Sequence, residues 1–377
     1  MDFTLTYEQE MLRASTREFL EVECPKSLVQ EMETDDTGFS PDLWQKMADL
    51  GWLGLPFPEQ YGGAGLSFQD VATLLEEMGR FILPGPFFSS VVLCGQAILE
   101  AGTDEQKADF LTKIASGKLI MALALTEPSA QYQASDISVR ADLSSHNYVI
   151  NGTKMFVSDG QAADHFIVAA RTTEETNPHE GISLFLVNAR SPGITVNPLL
   201  VMGIDKQAEV IFKDVQVPLN HLLGPADGGW SLVEKLLVWG AVGKCAESVG
   251  GAQAALDMTV EYAKTRQAFG QPIGSFQAIQ HHCANMLTDV DTSRYLMQQA
   301  AWLVAQGEFN APEISKAKAW IGDAYPRVTA LAHQCHGAIA FTKEMDIHLY
   351  HKRAKVNEVL FGDSAFHQER IASALES

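Results

Sequence analysis

Apolar positions recur at helical spacing through the first third of the chain, give way to short β-rich runs, and return to helical spacing up to the end. Thr6 followed by Gln9, and Thr103 followed by Gln106, have the spacing of a capping box, in which side chains satisfy the first free backbone N–H groups of a helix. Ser40–Pro41 sets a capping hydroxyl ahead of a proline at the first helical position. The helix that follows places Leu43, Trp44, Met47 and Leu50 on one face and stops at Gly51. Another starts near Ser67, turns Val71, Leu74, Leu75 and Met78 inward, and ends at Gly79. The glycines of Tyr61-Gly62-Gly63-Ala64-Gly65 have no strand before them and no lysine after them, so they predict a connecting loop and not a phosphate cradle.

From about residue 120 the period changes. Ile120–Leu125, Tyr148–Ile150, Lys154–Val157, Phe166–Ala170, Ile182–Val187, Ile194–Val196 and Glu209–Phe212 read as strands with no helix between them. Asn151-Gly152 between two of these runs predicts a tight hairpin. Helical segments follow near 230–265, 276–306, 312–340 and 344–374. The expected fold class is therefore α+β, mostly α. An N-terminal helical domain spans 1–120, a middle antiparallel β-barrel or sandwich 121–222, and a C-terminal helical bundle 223–377.

Composition narrows the function classes. The chain has 377 residues, 46% of them hydrophobic, which suits two or three packed units and rules out disorder. No apolar run approaches the roughly 20 residues of a membrane span. The acidic, helix-like start resembles no signal peptide, so a cytoplasmic location is expected. Five scattered cysteines without CxxC spacing predict free thiols. A formal net charge of −20 argues against nucleic acid and against an anionic membrane as partners. It leaves room for an anionic cofactor held by a few placed cations.

The candidate chemistry centres on Tyr262 to Gln280, where one long helical pattern ends and another begins. Arg266 offers a permanent cation with a fork of donors suited to phosphate oxygens. Phe269 and Phe276 offer flat faces to a ring system. Gly270 and Pro272 break the helix and admit close approach of backbone to a ligand. This stretch, with Arg266, Phe269, Phe276 and Gln277 in that order, resembles the nucleotide-facing hinge of the acyl-CoA dehydrogenase family. Two further motifs carry the same resemblance: Leu125-Thr126-Glu127-Pro128, and Asn151-Gly152-Thr153-Lys154-Met155-Phe156-Val157-Ser158. So does His333-Gln334-Cys335-His336-Gly337-Ala338, in which Ala338 replaces the second glycine of the family's usual pair.

The resemblance covers essentially the whole chain and implies FAD as cofactor. It implies that Leu125 and Thr126 hydrogen-bond the flavin edge, that Phe156 shields one ring face, and that Ser158 reaches the central ring nitrogen. It implies that Arg266 meets the pyrophosphate of a neighbouring subunit's FAD, with Phe269, Phe276 and Gln277 along the same nucleotide and Gln334, Gly337 and Ala338 around the adenosine portion. Ser135, in a loop longer than the family's common form, is the candidate contact to the thioester-bearing arm. The implied partners are an acyl-CoA substrate, an electron-transfer flavoprotein, and either identical copies or a related chain in a tetramer. No metal is expected: His333 and His336 lack a carboxylate or cysteine at ligand spacing.

The family's reaction needs a carboxylate that takes an α-proton while hydride leaves the β-carbon. The family's usual position, near the C-terminus, is Phe361 here. The alternative position, 26 residues before Arg266, is Gly240. Neither accepts a proton. Glu247 lies seven residues beyond Gly240, about 10 Å along a helix and on the same face. Cys245, Ala246, Val249 and Gly250 around it are apolar or small, with Lys244 the one possible cation, so a raised proton affinity is expected. Two readings of Glu247 stand at this point: general base, or structural carboxylate paired with another chain or with a buried arginine.

Further departures resemble a bacterial subgroup that acts on steroid side chains, alicyclic acids or dicarboxylic acids as CoA thioesters, some of its members heteromeric. Asp363 stands where a threonine usually faces the flavin pyrophosphate, and Ala241 where some fatty-acyl members carry an arginine. The function expected is α,β-dehydrogenation of a bulky or otherwise non-standard acyl-CoA to the 2-enoyl-CoA. The alternative is a non-catalytic subunit that completes a partner's FAD site.

Overall fold

The capping signals start helices where expected. In the computed structural model, which describes residues 3–376, the Thr6 box opens α1 (Tyr7–Glu23), followed by α2 (Lys26–Thr34). Ser40 caps α3 (Pro41–Asp49), which buries Leu43, Trp44 and Met47 but leaves Leu50 exposed just past its end. The Ser67–Asp70 box opens α4 (Phe68–Phe81). Short helices α5 (Gln96–Ala101), α6 (Asp104–Gln106, started by the Thr103 box) and α7 (Thr112–Ala115) are spliced by π-helical turns at Phe88–Gly95 and Lys107–Leu111. The C-terminal part holds α8 (Trp230–Thr265), α9 (Gln277–Ala305), α10 (Pro312–His336), α11 (Ile347–Val359) and α12 (Ser364–Glu376).

Two helix expectations change. Gly79 does not stop α4: the helix runs on to Phe81, and Ile82 ends it in the left-handed region at φ 55°. Gly79 instead lets two backbones touch, because a Cβ there would lie 2.0 Å from the Glu247 carbonyl oxygen of α8. The segment expected over 344–374 breaks into α11 and α12, with Phe361 at φ 60° and Gly362 at φ 94° turning the chain between them.

The middle strands are β1 (Met121–Ala124), β2 (Arg140–Ser144), β3 (Asn147–Ser158), β4 (His165–Arg171), β5 (Ile182–Asn188), β6 (Ile194–Leu199), β7 (Gln207–Pro218) and β8 (Leu222–Leu223). They form one eight-stranded sheet in the order β6-β7-β3-β2-β4-β5-β8, with β1 added to β4. Pairing is mostly antiparallel, but β1 runs parallel to β4, from Met121 opposite His165 to Ala124 opposite Val168. Phe166, Val168, Phe185, Val210 and Phe212 fill the core on one face. Asn151-Gly152 is not a hairpin: it lies inside β3, where the register with β7 shifts between Ile150 and Gly152. Gly152 has φ 139° and packs so tightly that a Cβ would come 2.8 Å from the Val139 side chain. The hairpin is two residues long and sits just before, at Ser145-His146, pairing β3 with β2, a strand that the polar run Arg140–Ser144 concealed.

The chain divides into two compact units that cut across the helical thirds. One gathers the residues up to Gln30, Ser67–Leu83 and everything from Gly240 on; the other holds Glu31–Leu66 and Pro84–Trp239. No helix among the described residues is long and apolar enough to cross a membrane. The five cysteines are free thiols, four of them buried and Cys283 half-buried.

Candidate flavin and substrate site

In the sheet-bearing unit, β1 delivers Leu125 and Thr126 at its end, Leu125 buried and Thr126 half-buried. Met155 N–H donates to the Thr126 carbonyl at 2.8 Å, so the first two motifs lie side by side. Their junction is held by Lys154, a residue given no role from the sequence alone. Its ammonium is wholly buried and donates to Glu127 Oε1 at 2.7 Å and to the Leu125 carbonyl at 3.0 Å. Glu127 also accepts from the N–H groups of Ser138 and Val139, each at 3.0 Å, and from the Ser138 hydroxyl. Burial alone would raise the Glu127 carboxyl, but Lys154 and these donors outweigh it and hold it below the usual carboxylate range. Burial pushes Lys154 down to about 8 against the pull of Glu127. The sequence signal was present, an acid and a base in two adjoining motifs, but an isolated lysine in a strand reads as solvent-facing.

Phe156 sits in a second bulge of β3, where the register with β7 shifts between Lys154 and Val157. Its φ of 56° is rare for an aromatic residue, and the bulge turns the ring outward, 41% exposed, from a strand whose other residues are buried or half-buried. Such strain persists only where the surroundings impose it. Ser158, two residues on, is half-buried. Ser135 is exposed in a 3-10 turn, Ala134–Asp136. Arg171 pins that turn by donating to the carbonyls of Ala134 at 2.8 Å and Ile137 at 3.0 Å.

In the helical unit, α8 ends at Thr265 and the chain folds into a two-stranded ribbon, β9 (Gln267–Ala268) and β10 (Gln271–Pro272). Phe269 and Gly270 form its turn with φ 54° and 81°, the pattern of a tight hairpin with two left-handed residues. Phe269 is 96% exposed and meets Phe276 edge-on at 6.1 Å. Arg266 is exposed, and its guanidinium makes no ion pair among the described residues, while its carbonyl accepts from Ile273 N–H at 2.8 Å. Gln277 is exposed at the first turn of α9.

The segment 333–338 comes to the same hinge. The His336 ring stacks on Tyr262 at 4.4 Å, one turn before Arg266. Burial lowers the His336 pKa, so the ring is neutral at pH 7; Nδ1–H donates to the Ala332 carbonyl at 2.8 Å and leaves Nε2 an acceptor without a partner among the described residues. Gln334, Gly337 and Ala338 are exposed, and the space beyond the Gly337 Cα is open. The surface therefore combines an unpaired guanidinium, exposed aromatic rings and an open glycine, a donor set that fits a dinucleotide.

Gly240 and Phe361 come together. A Cβ on Gly240 would lie 2.4 Å from Phe361 Cδ1, so the phenyl ring fills the space beside the glycine. The loop carrying Phe361 is anchored from both sides. His367 Nε2–H donates to the Phe361 carbonyl at 3.0 Å, and buried Lys318 donates to the carbonyls of Asn357, Glu358 and Gly362 at 3.0, 3.1 and 2.8 Å. Asp363 caps the next helix through the Phe366 N–H at 2.9 Å. The apolar setting expected for Glu247 is overturned. Its carboxylate is buried between two cations, Lys244 Nζ at 2.6 Å and Arg353 Nη1 at 3.8 Å. Lys244 lies one turn away on the same helix, and Arg353 comes from α11, 106 residues later, beyond the reach of any local pattern.

Models of the acyl-CoA dehydrogenase N-terminal, middle and C-terminal domains match residues 6–118, 122–215 and 227–376. The chain belongs to the acyl-CoA dehydrogenase family, whose members are FAD-dependent oxidoreductases. It is 35% identical to a probable acyl-CoA dehydrogenase, YngJ, of Bacillus subtilis over the full length of both. It is 31% identical to subunit CarC of the caffeyl-CoA reductase–Etf complex of Acetobacterium woodii, covering 98% of each chain. A chain of the ChsE4–ChsE5 complex of Mycobacterium tuberculosis superposes with a TM-score of 0.91 at 28% identity, covering 100% of this chain and 99% of that one.

Proposed function

We propose that this protein oxidises the Cα–Cβ bond of an acyl-CoA thioester to the 2-enoyl-CoA and passes the electrons to an electron-transfer flavoprotein. FAD, when bound, supplies the hydride acceptor. Leu125 and Thr126 present fixed donors to its electron-rich edge, Phe156 covers one face, and Ser158 offers a hydroxyl to the ring system. Arg266 pairs with phosphate oxygens of a cofactor seated on another protomer, flanked by Phe269, Phe276 and Gln277. Gln334, Gly337 and Ala338 run along the adenosine end, and Ser135 lies toward the thioester arm. Glu247 is the candidate acceptor of the α-proton. The observation that carries the reading is Arg266: an always-charged, exposed guanidinium with no carboxylate beside it among the described residues, set beside two aromatic rings on a strained turn.

A specific observation favours a second reading, in which the chain completes the flavin site of a related partner and has no working base. The Phe361 ring occupies the place beside Gly240, and Glu247 is committed to Lys244 and Arg353. The likeness to a chain of a two-component complex supports it. A bulky acyl group gains nothing from the geometry, since the glycine's missing side chain is replaced by a ring and leaves no added room there.

One experiment separates these readings. The chain is purified alone and mixed anaerobically with CoA thioesters from butyryl to alicyclic while flavin absorbance is followed. Bleaching by the chain alone supports the first reading. A yellow protein that bleaches only with a related partner supports the second. A colourless protein that takes up no FAD under either condition sinks both.

A further inference from the structure

Two of the motifs assigned above to the flavin are 27 residues apart where Lys154 joins Glu127, yet one side chain fixes both. Lys154 Nζ holds the Leu125 carbonyl at 3.0 Å and Glu127 Oε1 at 2.7 Å, and both side chains are buried, 0% and 3% exposed. In a trans peptide the carbonyl and the following N–H point in opposite directions. Drawing the Leu125 carbonyl in toward Lys154 therefore turns the Thr126 N–H away from it. The next backbone link, Met155 N–H to the Thr126 carbonyl at 2.8 Å, fixes the residue just before the bulged Phe156. Glu127 is in turn clamped by Ser138 and Val139 just before the following strand, β2.

A buried ion pair is a poor device for stability, because a well-packed apolar pair of the same volume commonly does as well. Its value lies in geometry: two directed hydrogen bonds from one ammonium leave little freedom to the groups they hold. We propose that Lys154, locked by Glu127, is a positioning residue that sets the Thr126 N–H and the Phe156 ring in register for the flavin. This rests on the reading that these two residues meet the flavin. Lys154 touches no reacting atom in that arrangement; it acts through Leu125, Thr126 and Met155.

The test uses the full chain, with a related partner if one is needed for FAD uptake, and replaces both charges together, Lys154→Met with Glu127→Gln, so that neither is left buried alone. Thermal melting without FAD is expected to stay within a few degrees of wild type. FAD affinity is expected to fall about tenfold or more. The flavin that still binds is expected to have an altered visible spectrum and a more negative reduction potential, since misplaced donors no longer favour the reduced ring. Unchanged affinity, spectrum and potential overturn the proposal. Ser138→Ala, which strips one donor from Glu127 and keeps both charges, guards against a double variant that fails to fold. It is expected to shift the potential the same way by less, and no shift overturns the proposal. A wild-type protein that binds no FAD sinks the flavin reading itself, whereas a yellow wild type with an indistinguishable double variant sinks only the role of Lys154.

Discussion

Glu247 shows how far one residue's meaning depends on neighbours that are remote in sequence. Its local setting is apolar, and from that setting alone a raised proton affinity follows. The folded chain brings Lys244 and Arg353 to it instead. The substitution Glu247→Gln divides the two roles. Under either reading the buried cations lose their counter-charge, and the cost of about 3–5 kcal/mol shows as a lower melting temperature. If Glu247 is the base, turnover per bound flavin also falls by about 10²–10⁴-fold; if it is structural, turnover per bound flavin holds. Thermal melts and steady-state rates on the same preparation read both. Arg266→Gln is the complementary residue-scale change. Loss of a charge-assisted contact worth about 1.5–3 kcal/mol should weaken FAD binding by roughly 10- to 100-fold. The melting temperature without FAD should not move, because the Arg266 guanidinium makes no ion pair among the described residues. A shift in that temperature would mean the side chain has an internal role.

At the scale of elements, two contacts decide how the helical unit is built. Gly79 in α4 meets the backbone of Glu247 in α8, and a methyl group there would have to sit 2.0 Å from a carbonyl oxygen. Since backbone yields less than side chains, Gly79→Ala is expected to cost about 3 kcal/mol or more, seen as a melting temperature lowered by several degrees; an unchanged melt would contradict this crossing. The α11–α12 turn depends on neutral His367, which accepts from Ser315 Oγ at 3.2 Å while donating to the Phe361 carbonyl. Burial, aided by Lys318, pushes His367 down to about 4 from an ordinary value of about 6.5. The unfolded chain therefore takes up the proton first. The contribution is full above about pH 6.5 and is lost as pH falls toward 4, by about 3 kcal/mol at most. Chemical unfolding across pH 4–7 should show this limb, and His367→Gln should flatten it.

At the scale of the whole molecule, the hinge surface carries its own prediction. Arg266, Phe269, Gln334 and Gly337 are all exposed on one unit, and no described residue pairs with the guanidinium. If they complete a cofactor site on another protomer, FAD must dissociate when the assembly does. Dilution through the assembly's dissociation range, followed by sedimentation and flavin fluorescence, should release free FAD in step with smaller species; FAD retained by isolated protomers would refute the shared site. Much of this organisation was legible in the chain. Capping boxes, helical periods and β-rich runs are local, because they arise from hydrogen bonds and side-chain directions within a few residues. The motifs around Thr126, Phe156 and Arg266, and the lack of a carboxylate at Gly240 and Phe361, were visible through the resemblance to the acyl-CoA dehydrogenase family. Contacts between distant residues were not. Gly152 looked like a turn until β7 paired across it and made it a bulge. Gly79 looked like a helix stop until α8 crossed it. Lys154 had no role until Glu127 folded against it, and Glu247 looked apolar until Arg353 arrived from α11. The sequence by itself determined the order of elements and the chemical groups available. Only tertiary packing decided which charges meet, because a buried charge takes its partner from whatever the fold brings within reach, at any separation along the chain.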